Sequence, residues 1–363
     1  MNALALHEFH DGLNARFTEV NGQEVVHDFG NAAAEYAALG ESSGVMDLSF
    51  RSRICVTGAD RARFLNGQVT NNVKDLLSGA GCYAALVSAK GKIQSDLNLY
   101  CLPDELLLDF EPGFTAAVSQ RLEKYVIADD VQLVDVSADY GLLSVQGPAA
   151  EAAIKALALP LALPAQAFSF TSANHATLGE IHLMNQPRLG TMGFDLFVPT
   201  PALGAVMDKL IAAARQLGGR ACGWAALEIA RIEAGFPRFG LDMDETNLAP
   251  ETGLESRAIS YNKGCYIGQE VIARIRTYGQ VAKSLRGLRF DPDTKSLPAR
   301  GDKLFHEGKE VGYVTSAVAS PLLKTNIALG YVRKEANPVG TELTCRNAAG
   351  ESRARIAGLP FRA

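Results

Sequence analysis

Residues 263–270 read KGCYIGQE, and this stretch decides how the rest of the chain is interpreted. Its two glycines favour a tight turn, because glycine adopts backbone angles that other residues rarely reach. Gln269 begins a predicted helix whose inward side chains are Val271, Ile272 and Ile275. Cys265 therefore lies just before a helix N-terminus, with Lys263 two residues away, and both features favour a reactive thiolate. The alternative is a small buried cysteine, since most cysteines are inert.

The pattern of predicted secondary structure differs between the two sides of this stretch. Upstream, the patterns predict strands at 53–56, 81–87, 105–110, 141–146 and 193–199, helices at 59–67, 112–126, 148–157, 202–218 and 221–234, and a loop from there to 264. Downstream, short strands at 285–290, 312–319, 327–332 and 342–346 alternate with Gly, Pro and Asp turns. The downstream pattern is typical of a small β-barrel or sandwich, and the whole is an α+β arrangement rather than a βαβ series.

Length and composition limit the class of protein. A chain of 363 residues is too long for one core of typical size, so we expect two or three domains. The net charge of −5 provides no general basic field, so direct nucleic-acid binding is not expected. The sequence contains neither a GxxxxGK loop nor a strand–GxGxxG–helix unit, which argues against an NTPase and a Rossmann dehydrogenase.

The cysteines and the N-terminus indicate the compartment. The six cysteines form no CxxC pair and the six histidines form no ligand spacing, so no metal site is predicted. Apart from Cys265, they are interpreted as structural thiols of a reducing compartment. The opening MNALALHEFHDG does not read as a signal peptide, and the most apolar stretch, 156–167, is interrupted by Pro160 and Pro164. We therefore expect a cytoplasmic protein without membrane association.

The motif KGCYxGQE followed by VxAR resembles the signature of the YgfZ family of folate-binding proteins, which are related to the T-protein (aminomethyltransferase) of the glycine cleavage system. The resemblance extends over nearly the whole chain. Segments similar to the T-protein are GVMDLSFRSRICVT at 44–57, YAALVSAKGKIQSDL at 83–97, GFDLFVP at 193–199, RIEAGFPRFG at 231–240 and GYVTSAVASP at 312–321.

This resemblance implies an α+β, three-domain aminomethyltransferase-like (T-protein-like) fold with a C-terminal small β-barrel, arranged as a ring around a folate pocket. Residues 1–48 and 138–240 would form the folate-binding α+β domain. Residues 49–137 and 241–279 would form a second α+β domain that carries the motif. Residues 280–363 would form the barrel.

The resemblance also implies a binding site for tetrahydrofolate. Asp96 matches the carboxylate beside the reacting folate nitrogen, and Asp195 matches the acid that holds the pterin, a pairing suited to a carboxylate that accepts two N–H bonds. Arg231 matches an arginine near the folate ring or its glutamate tail, and Tyr83 matches a ring-stacking residue. Each residue also has an alternative: solvent exposure for Asp96, an ordinary strand position for Asp195, an ion pair with Glu228 or Glu233 for Arg231, and plain core for Tyr83.

Four positions depart from the T-protein pattern. Its paired acids are Ser95 and Asp96 here, its glycine pair is Gly91 and Lys92, and its pterin-binding Glu is the shorter Asp195. The fourth departure is the motif itself, whose residues Lys263, Gly264, Cys265, Tyr266, Gly268, Gln269 and Glu270 include a cysteine that the T-protein pattern lacks.

Three functions therefore remain open. The first is a tetrahydrofolate-binding accessory protein that supports iron–sulfur cluster assembly or repair, including radical enzymes that modify tRNA, with Cys265 as the working thiol and Asp96 as the second catalytic residue. Its partners would be folate and iron–sulfur client or assembly proteins, since one thiol cannot hold a cluster alone. The second is a folate-dependent C1 transferase like the aminomethyltransferase, with Asp96 handling a proton. The third is a non-catalytic scaffold that has kept the folate pocket.

Overall fold

The computed structural model describes residues 1–279, 281–294, 296–348 and 350–361. This part of the chain divides into two compact units. Unit 1 contains residues 1–84 and 95–227, and unit 2 contains residues 85–94 and the chain from 228 onward.

The first part of the chain alternates strands with short helices. Its elements are α1 (His7–Asp11), β1 (Arg16–Val20), β2 (Gln23–Asp28), α2 (Ala32–Glu41), β3 (Gly44–Asp47), β4 (Ser52–Thr57), α3 (Arg61–Gln68), β5 (Gly81–Val87), β6 (Ile93–Cys101), β7 (Leu106–Phe110), α4 (Thr115–Glu123) and β8 (Gln132–Asp135).

The middle of the chain has longer helices. Its elements are β9 (Tyr140–Gln146), α5 (Ala150–Ala156), β10 (Phe170–His175), β11 (Gly179–Asn185), β12 (Gly193–Pro199), a 3-10 turn (Thr200–Ala202), α6 (Leu203–Gln216), β13 (Arg220–Ala221), α7 (Trp224–Glu233), a second 3-10 turn (Ala249–Thr252), α8 (Glu255–Ala258) and α9 (Gln269–Tyr278).

The last part of the chain is almost entirely strand. Its elements are β14 (Lys283–Phe290), β15 (Lys303–His306), β16 (Lys309–Ser320), β17 (Thr325–Arg333), a 3-10 turn (Lys334–Ala336), β18 (Glu342–Asn347) and β19 (Gly350–Ala357). These strands close into a barrel of order β14-β17-β16-β15-β18-β19. Apolar side chains fill its interior, among them Leu288, Val314, Leu343 and Ile356. Closure leaves the barrel with no unpaired sheet edge.

Two larger sheets provide the framework around the acidic residues. One has the strand order β10-β11-β12-β9-β3-β13, and the other has the order β5-β6-β7-β4-β8. Helices α5 and α6 cover the six-stranded sheet with a continuous core that includes Leu143, Leu196, Leu203 and Leu210. Every residue of β7 is buried, so a charged side chain on that strand needs a partner of opposite charge.

The predicted α+β fold with a C-terminal barrel is confirmed. Strand β12 has the predicted ends, and the strands beginning at 81 and 140 lie within one residue of their predicted positions. The three-domain boundaries stay a prediction, although each of the three predicted groups of residues contains one of the sheets described above.

Several predictions about local structure are wrong. The segment taken as a loop before residue 264 contains a 3-10 turn and α8. The predicted helix at 112–126 covers only 115–123. A set of strands was not predicted at all: β1, β2, β3, β8, β10, β11, β13, β15 and β19. Several of these are short or half-exposed strands whose apolar periodicity is weak. No helix in the described residues is both long and apolar enough to cross a membrane.

Candidate functional site: a buried acidic cluster and an exposed thiol loop

A buried carboxylate on β7 is the centre of the charged residues of unit 1. Asp109 is fully buried, and its Oδ1 accepts a 2.7 Å bond from Arg51 Nε. Its Oδ2 accepts bonds from Arg188 Nη2 at 2.9 Å and from Asn98 Nδ2 at 2.9 Å. Both oxygens of Asp109 therefore accept hydrogen bonds, as a buried charge in an apolar strand requires.

Arg188 connects Asp109 to the second carboxylate, Asp195. Its Nε donates to Asp195 Oδ2 at 2.8 Å, while its Nη2 lies 2.6 Å from the same oxygen. Arg188 follows β11 in a loop whose backbone is held, because its N–H donates to Gln146 Oε1 at 3.1 Å. One guanidinium thus bridges a carboxylate on each of the two large sheets, a geometry that suits the planar fork of arginine.

A layer of amides and a tyrosine extends the same network. Gln186 Nε2 donates to Asn98 Oδ1 at 3.0 Å, and Tyr100 Oη donates to Gln186 Oε1 at 3.1 Å. Gln146 Nε2 donates to the Gln186 carbonyl at 2.9 Å. These buried polar groups fix the positions of β6, β9 and the 186–188 loop, since each group depends on its neighbour for a partner.

Arg51 joins a third acid to the network. Its Nη1 donates to Glu111 Oε1 at 2.6 Å, and its side chain is only 11% exposed. The charges of Asp109 and Glu111 raise the pKa of Arg51 despite the opposing effect of burial. Burial raises the pKa of Asp109, but the charges of Arg51 and Arg188 outweigh it and hold that pKa well below its usual range.

Asp96 lies on β6 and has a different environment. Its Oδ2 accepts a 2.7 Å bond from Tyr83 Oη, and its Oδ1 is buried with no hydrogen-bond partner among the described residues. Burial and the charge of Glu111 raise its pKa to about 6, against the lowering effect of Tyr83 and Arg51. A carboxyl group with this pKa takes up and releases a proton near neutral pH.

Asp195 lies on β12 and is more completely buried than Asp96. It is completely buried opposite Ser144 of β9. Burial raises its pKa, and Arg188 offsets only part of that effect. The Ser144 hydroxyl also favours the carboxylate, but Asp195 Oδ1 has no partner with full hydrogen-bond geometry in the described part of the chain.

These six side chains form what we call the acidic cluster: Asp96, Asp109, Glu111 and Asp195 with Arg51 and Arg188. It contains four carboxyl groups and two guanidinium groups, and carboxyl groups remain in excess, four to three, when the buried Arg53, whose charge also acts on Asp109, is counted. The cluster therefore offers acceptor oxygens, on Asp96 and Asp195, to a ligand that brings N–H donors.

The KGCYIGQE motif lies in unit 2, where it forms a loop and the first residues of α9. Gly268 has φ +85°, and a side chain there would place its Cβ 2.4 Å from the Ser88 carbonyl oxygen. Gln269 Oε1 accepts a 3.0 Å bond from the Tyr266 N–H. Gly268 therefore allows close approach to the 85–94 hairpin tip, as the sequence predicts for glycine.

The thiol of the motif is exposed. Cys265 is the exposed cysteine among the six, whereas Cys55, Cys222 and Cys345 are buried and Cys82 and Cys101 are half-buried. Lys263 Nζ lies 4.9 Å from the centre of the Tyr266 ring, so this cation packs on an aromatic face beside the thiol. The alternative of a buried structural Cys265 is therefore wrong.

Comparison with known proteins places the chain in a family. The model of the GCVT N-terminal domain matches residues 6–263, and that of the glycine cleavage T-protein C-terminal barrel domain matches residues 283–362. The chain belongs to the GCVT family. Two similar relatives are an aminomethyltransferase of Symbiobacterium thermophilum, 28% identical over 98% of this chain and 96% of the relative, and one of Halothermothrix orenii, 27% identical over 99% and 100%.

A solved structure shows the same fold. The glycine cleavage system aminomethyltransferase T from Bartonella henselae matches this GCVT protein with a TM-score of 0.89 at 24% identity. The match covers 99% of this chain and 98% of the other. The predicted T-protein-like fold is thereby confirmed.

The structure places three of the predicted folate residues of this GCVT protein in one unit. Asp96, Asp195 and Tyr83 all lie in unit 1; Asp96 is half-buried, so the alternative of a solvent-exposed Asp96 is wrong, and Asp195 is fully buried on its strand. Tyr83 is buried, with its hydroxyl on Asp96, so it is neither plain core nor an open stacking platform.

Arg231 lies in unit 2, where its guanidinium is taken up by local partners. Its Nε and Nη2 donate to the two oxygens of Glu228 at 2.8 and 2.9 Å, and its Nη1 donates to Asp242 at 2.6 Å. It is buried, and the alternative of an ion pair with Glu228 describes it correctly. We do not include Arg231 among the candidate folate ligands.

Of the inward residues predicted for α9, only Ile272 is buried, whereas Val271 and Ile275 are half-buried. The residues from 273 to 278 other than Ile275 are exposed, so the predicted inward side of α9 is the side that packs on its unit.

Sequence reasoning missed Arg51, Asp109, Glu111 and Arg188. A signal for Asp109 was present, because a lone acid inside LLLDF breaks an apolar strand. The two arginines carry no such signal, since each lies in a polar loop segment.

Proposed function

We propose that this GCVT protein binds a reduced folate through the acidic cluster of unit 1 and takes part in folate-dependent one-carbon transfer, with Asp96 as the group that handles the proton. The observation that supports the proposal is the excess of carboxyl groups over guanidinium groups, which leaves buried acceptor oxygens on Asp96 and Asp195. Buried polar groups normally have partners, so those oxygens indicate a missing donor.

The edge of a pterin supplies such donors. Its amino group and ring N–H present two neighbouring N–H bonds, which a carboxylate accepts in a paired arrangement. Asp195 suits this role because β12 and Arg188 fix it in one orientation, in which Oδ1 would accept one pterin N–H and Oδ2 would accept the other beside its bonds from Arg188. We assign Asp195 to the pterin and keep Tyr83 as the residue that positions Asp96.

Asp96 suits proton transfer to or from the reacting nitrogen. A group with a pKa of about 6 is mostly ionised at neutral pH and still returns a proton readily. The named relatives are aminomethyltransferases, which supports a one-carbon unit carried by folate as the chemistry served by this acid.

The test is calorimetric titration with tetrahydrofolate of the parent protein and of the variants Asp195→Asn and Asp135→Asn. Asp135 is an exposed acid on β8, outside the cluster, and serves as the matched control. We expect binding by the parent and the control, and a loss of at least about tenfold in Asp195→Asn, the size of one charge-assisted bond. Equal affinity in all three proteins would remove the cluster from the proposal.

A second function is supported by the exposed thiol. We propose as the competing candidate a YgfZ-type role, in which the folate-binding protein supports iron–sulfur cluster assembly or repair in client enzymes, including those that modify tRNA. Cys265 projects from a loop of unit 2 in the KGCYIGQE motif. In the described residues no three His, Cys, Asp or Glu side chains are grouped to hold a metal ion, so the client would supply the other ligands.

One pair of assays separates the two functions. Turnover of an aminomethylated lipoyl protein with tetrahydrofolate, abolished by Asp96→Asn and unaffected by Cys265→Ser, would support the transferase. No turnover, together with loss of iron–sulfur enzyme activity in cells carrying Cys265→Ser, would support the accessory role. If no turnover is found and cells carrying Cys265→Ser keep full iron–sulfur enzyme activity, the non-catalytic scaffold is the hypothesis that remains.

A further inference from the structure

A second concave site lies in unit 2, on residues that the proposed function does not use. It is a cavity of about 460 Å³ bounded by the end of α7, the start of α8, strand β14 and the 357–360 segment. Its volume falls within the range of small-molecule sites, roughly 300–1,000 Å³. We call it the arginine cavity, for the two arginines that line it.

The walls of the arginine cavity are mainly apolar. Leu254 and Leu285 form buried parts of the wall, while Val339 and Leu359 are exposed at it. The 358–360 segment is packed closely, since a side chain at Gly235 would place its Cβ 2.9 Å from Leu359 Cβ. The cavity is thus a preformed apolar surface that is open to solvent.

Two guanidinium groups are the charged side chains of the lining. The Arg257 Cζ lies 4.1 Å from the centre of the Phe236 ring, so this guanidinium packs on an aromatic face. Arg286 donates through Nε to the Asn337 carbonyl at 3.0 Å and through Nη1 to the Leu285 carbonyl at 3.2 Å. Both arginines are therefore held in place before any ligand arrives, which lowers the entropy cost of binding.

The charge of the lining is one-sided. Among the described residues that line the arginine cavity there is no aspartate or glutamate. An apolar wall beside two cations favours a ligand that has an apolar body and an anionic group, because each part finds a matching surface. A guanidinium pairs well with carboxylate, sulfonate or phosphate oxygens.

We propose that the arginine cavity binds a small amphipathic anion, with its apolar body against Leu254 and Leu285 and its anionic group on Arg257 and Arg286. The arginine cavity lies in unit 2 and shares no residue with the acidic cluster of unit 1. Ligand binding here is therefore separable from folate binding by experiment.

The test uses two fluorescent probes that share an aromatic body. 8-Anilinonaphthalene-1-sulfonate carries an anionic group, whereas N-phenyl-1-naphthylamine does not. Each probe is titrated into the full-length parent, into Arg286→Met and Arg257→Met, and into Arg289→Met as the control. Arg289 is an exposed arginine on the same strand as Arg286 and does not line the cavity.

We expect the sulfonate to bind the parent and the control at one saturable site, from which octanoate but not octanol displaces it. Its affinity should fall about tenfold or more in each cavity variant, since each loses one charge-assisted contact. The neutral probe should bind all four proteins with similar affinity.

Equal sulfonate affinity in the parent and both cavity variants would overturn the proposal, as would equal displacement by octanol. Circular dichroism of each variant, with tetrahydrofolate titration as a second check of the fold, excludes loss of folding as the cause. Because folate binding is measured in the same proteins, failure of this site and failure of the proposed function are distinguished.

Discussion

The two units each contain a buried ion network, and the two networks differ in charge balance. In unit 2, Arg231 and Arg238 face Glu228 and Asp242 in equal numbers. Both oxygens of Asp242 are bonded, one to Arg231 and the other to the Thr315 hydroxyl at 2.6 Å. In unit 1, the acidic cluster has four carboxyl groups for two guanidinium groups. The balanced network is complete without a ligand, while the unbalanced network has acceptor oxygens left over.

The two networks also differ in the direction in which the pKa of a buried aspartate is shifted. Burial raises the pKa of Asp242, but the charge of Arg231 prevails and the pKa is lowered. Asp195 is equally buried, yet its pKa is raised, because burial outweighs the lowering effect of Arg188 and the charge of Asp109 raises the pKa further. Hydroxyl and backbone donors lower the pKa of Asp242 further, so Asp195 is the less well compensated of the two carboxylates, and perturbed groups of this kind occur at functional sites.

The largest expected effect comes from removing a bridging arginine from either network. Arg188→Met and Arg231→Met should each lower the free energy of unfolding by about 3–5 kcal/mol, because buried carboxylates lose their partner. Urea unfolding at pH 7 measures this, with Arg346→Met as the control, since its pair with Glu351 is exposed and contributes about 0–1 kcal/mol. A loss near that of the control would show that the ion networks are not important for stability.

The second prediction compares the loss of stability when one aspartate is removed from each network. Asp242→Asn should cost about 3 kcal/mol, since the ionised carboxylate, whose pKa is lowered in the folded protein, accepts bonds from Arg231 and from the Thr315 hydroxyl. Asp195→Asn should cost about 1 kcal/mol or less, because Arg188 retains Asp109. Paired thermal or urea unfolding of the two variants checks the order. If Asp195→Asn were the more destabilised protein, the proposed difference in charge compensation between the two networks would be wrong.

The third effect concerns pH and Asp96. Its folded-state pKa of about 6 lies above the unfolded value, so its ionised form opposes folding. That cost is absent below about pH 4, grows as the pH rises to about 6, and reaches about 3 kcal/mol at neutral pH. Asp96→Asn should therefore raise the melting temperature at pH 7.5, with a gain that shrinks toward pH 4. A gain that does not change with pH would contradict the assigned pKa.

A smaller effect is expected from Tyr83→Phe. The variant removes the 2.7 Å hydrogen bond that favours ionised Asp96, so the pKa of Asp96 should rise further. If Asp96 handles the proton in the reaction, the acidic limb of the pH–rate profile should move to higher pH. An unchanged limb together with a lowered rate would mean that Tyr83 serves only packing.

The smallest effect on stability is expected at the exposed thiol. Cys265→Ser should change the free energy of unfolding by less than about 0.5 kcal/mol, as for most surface substitutions. Cys222→Ser is the contrast, since its sulfur is buried and donates to the Glu35 carbonyl at 3.3 Å. That variant should cost about 1–3 kcal/mol. Equal losses at the two positions would mean that the Cys265 loop is packed in solution.

The folded site was only partly predictable from the sequence. Asp96 and Asp195 were identified because their strands resemble T-protein segments, and the barrel was identified from its regular short strands. Arg51 and Arg188 reach Asp109 across 58 and 79 residues of chain. No local pattern encodes a pairing at such separations, because helix and strand periodicity describe only near neighbours. Arg231 had a local partner three residues away, and that ion pair was correctly anticipated.

The hairpin between β5 and β6 has a consequence for making and dissecting the protein. Its tip, residues 85–94, belongs to unit 2 although it precedes the rest of that unit by more than a hundred residues. Within unit 2, Lys92 bonds to the Thr246 carbonyl and Ile93 to the Asn247 carbonyl. During synthesis the tip leaves the ribosome long before those partners exist. A fragment that starts at residue 228 lacks the tip altogether, so a useful excised unit 2 would need residues 85–94 supplied as a separate peptide or fused by a new connection.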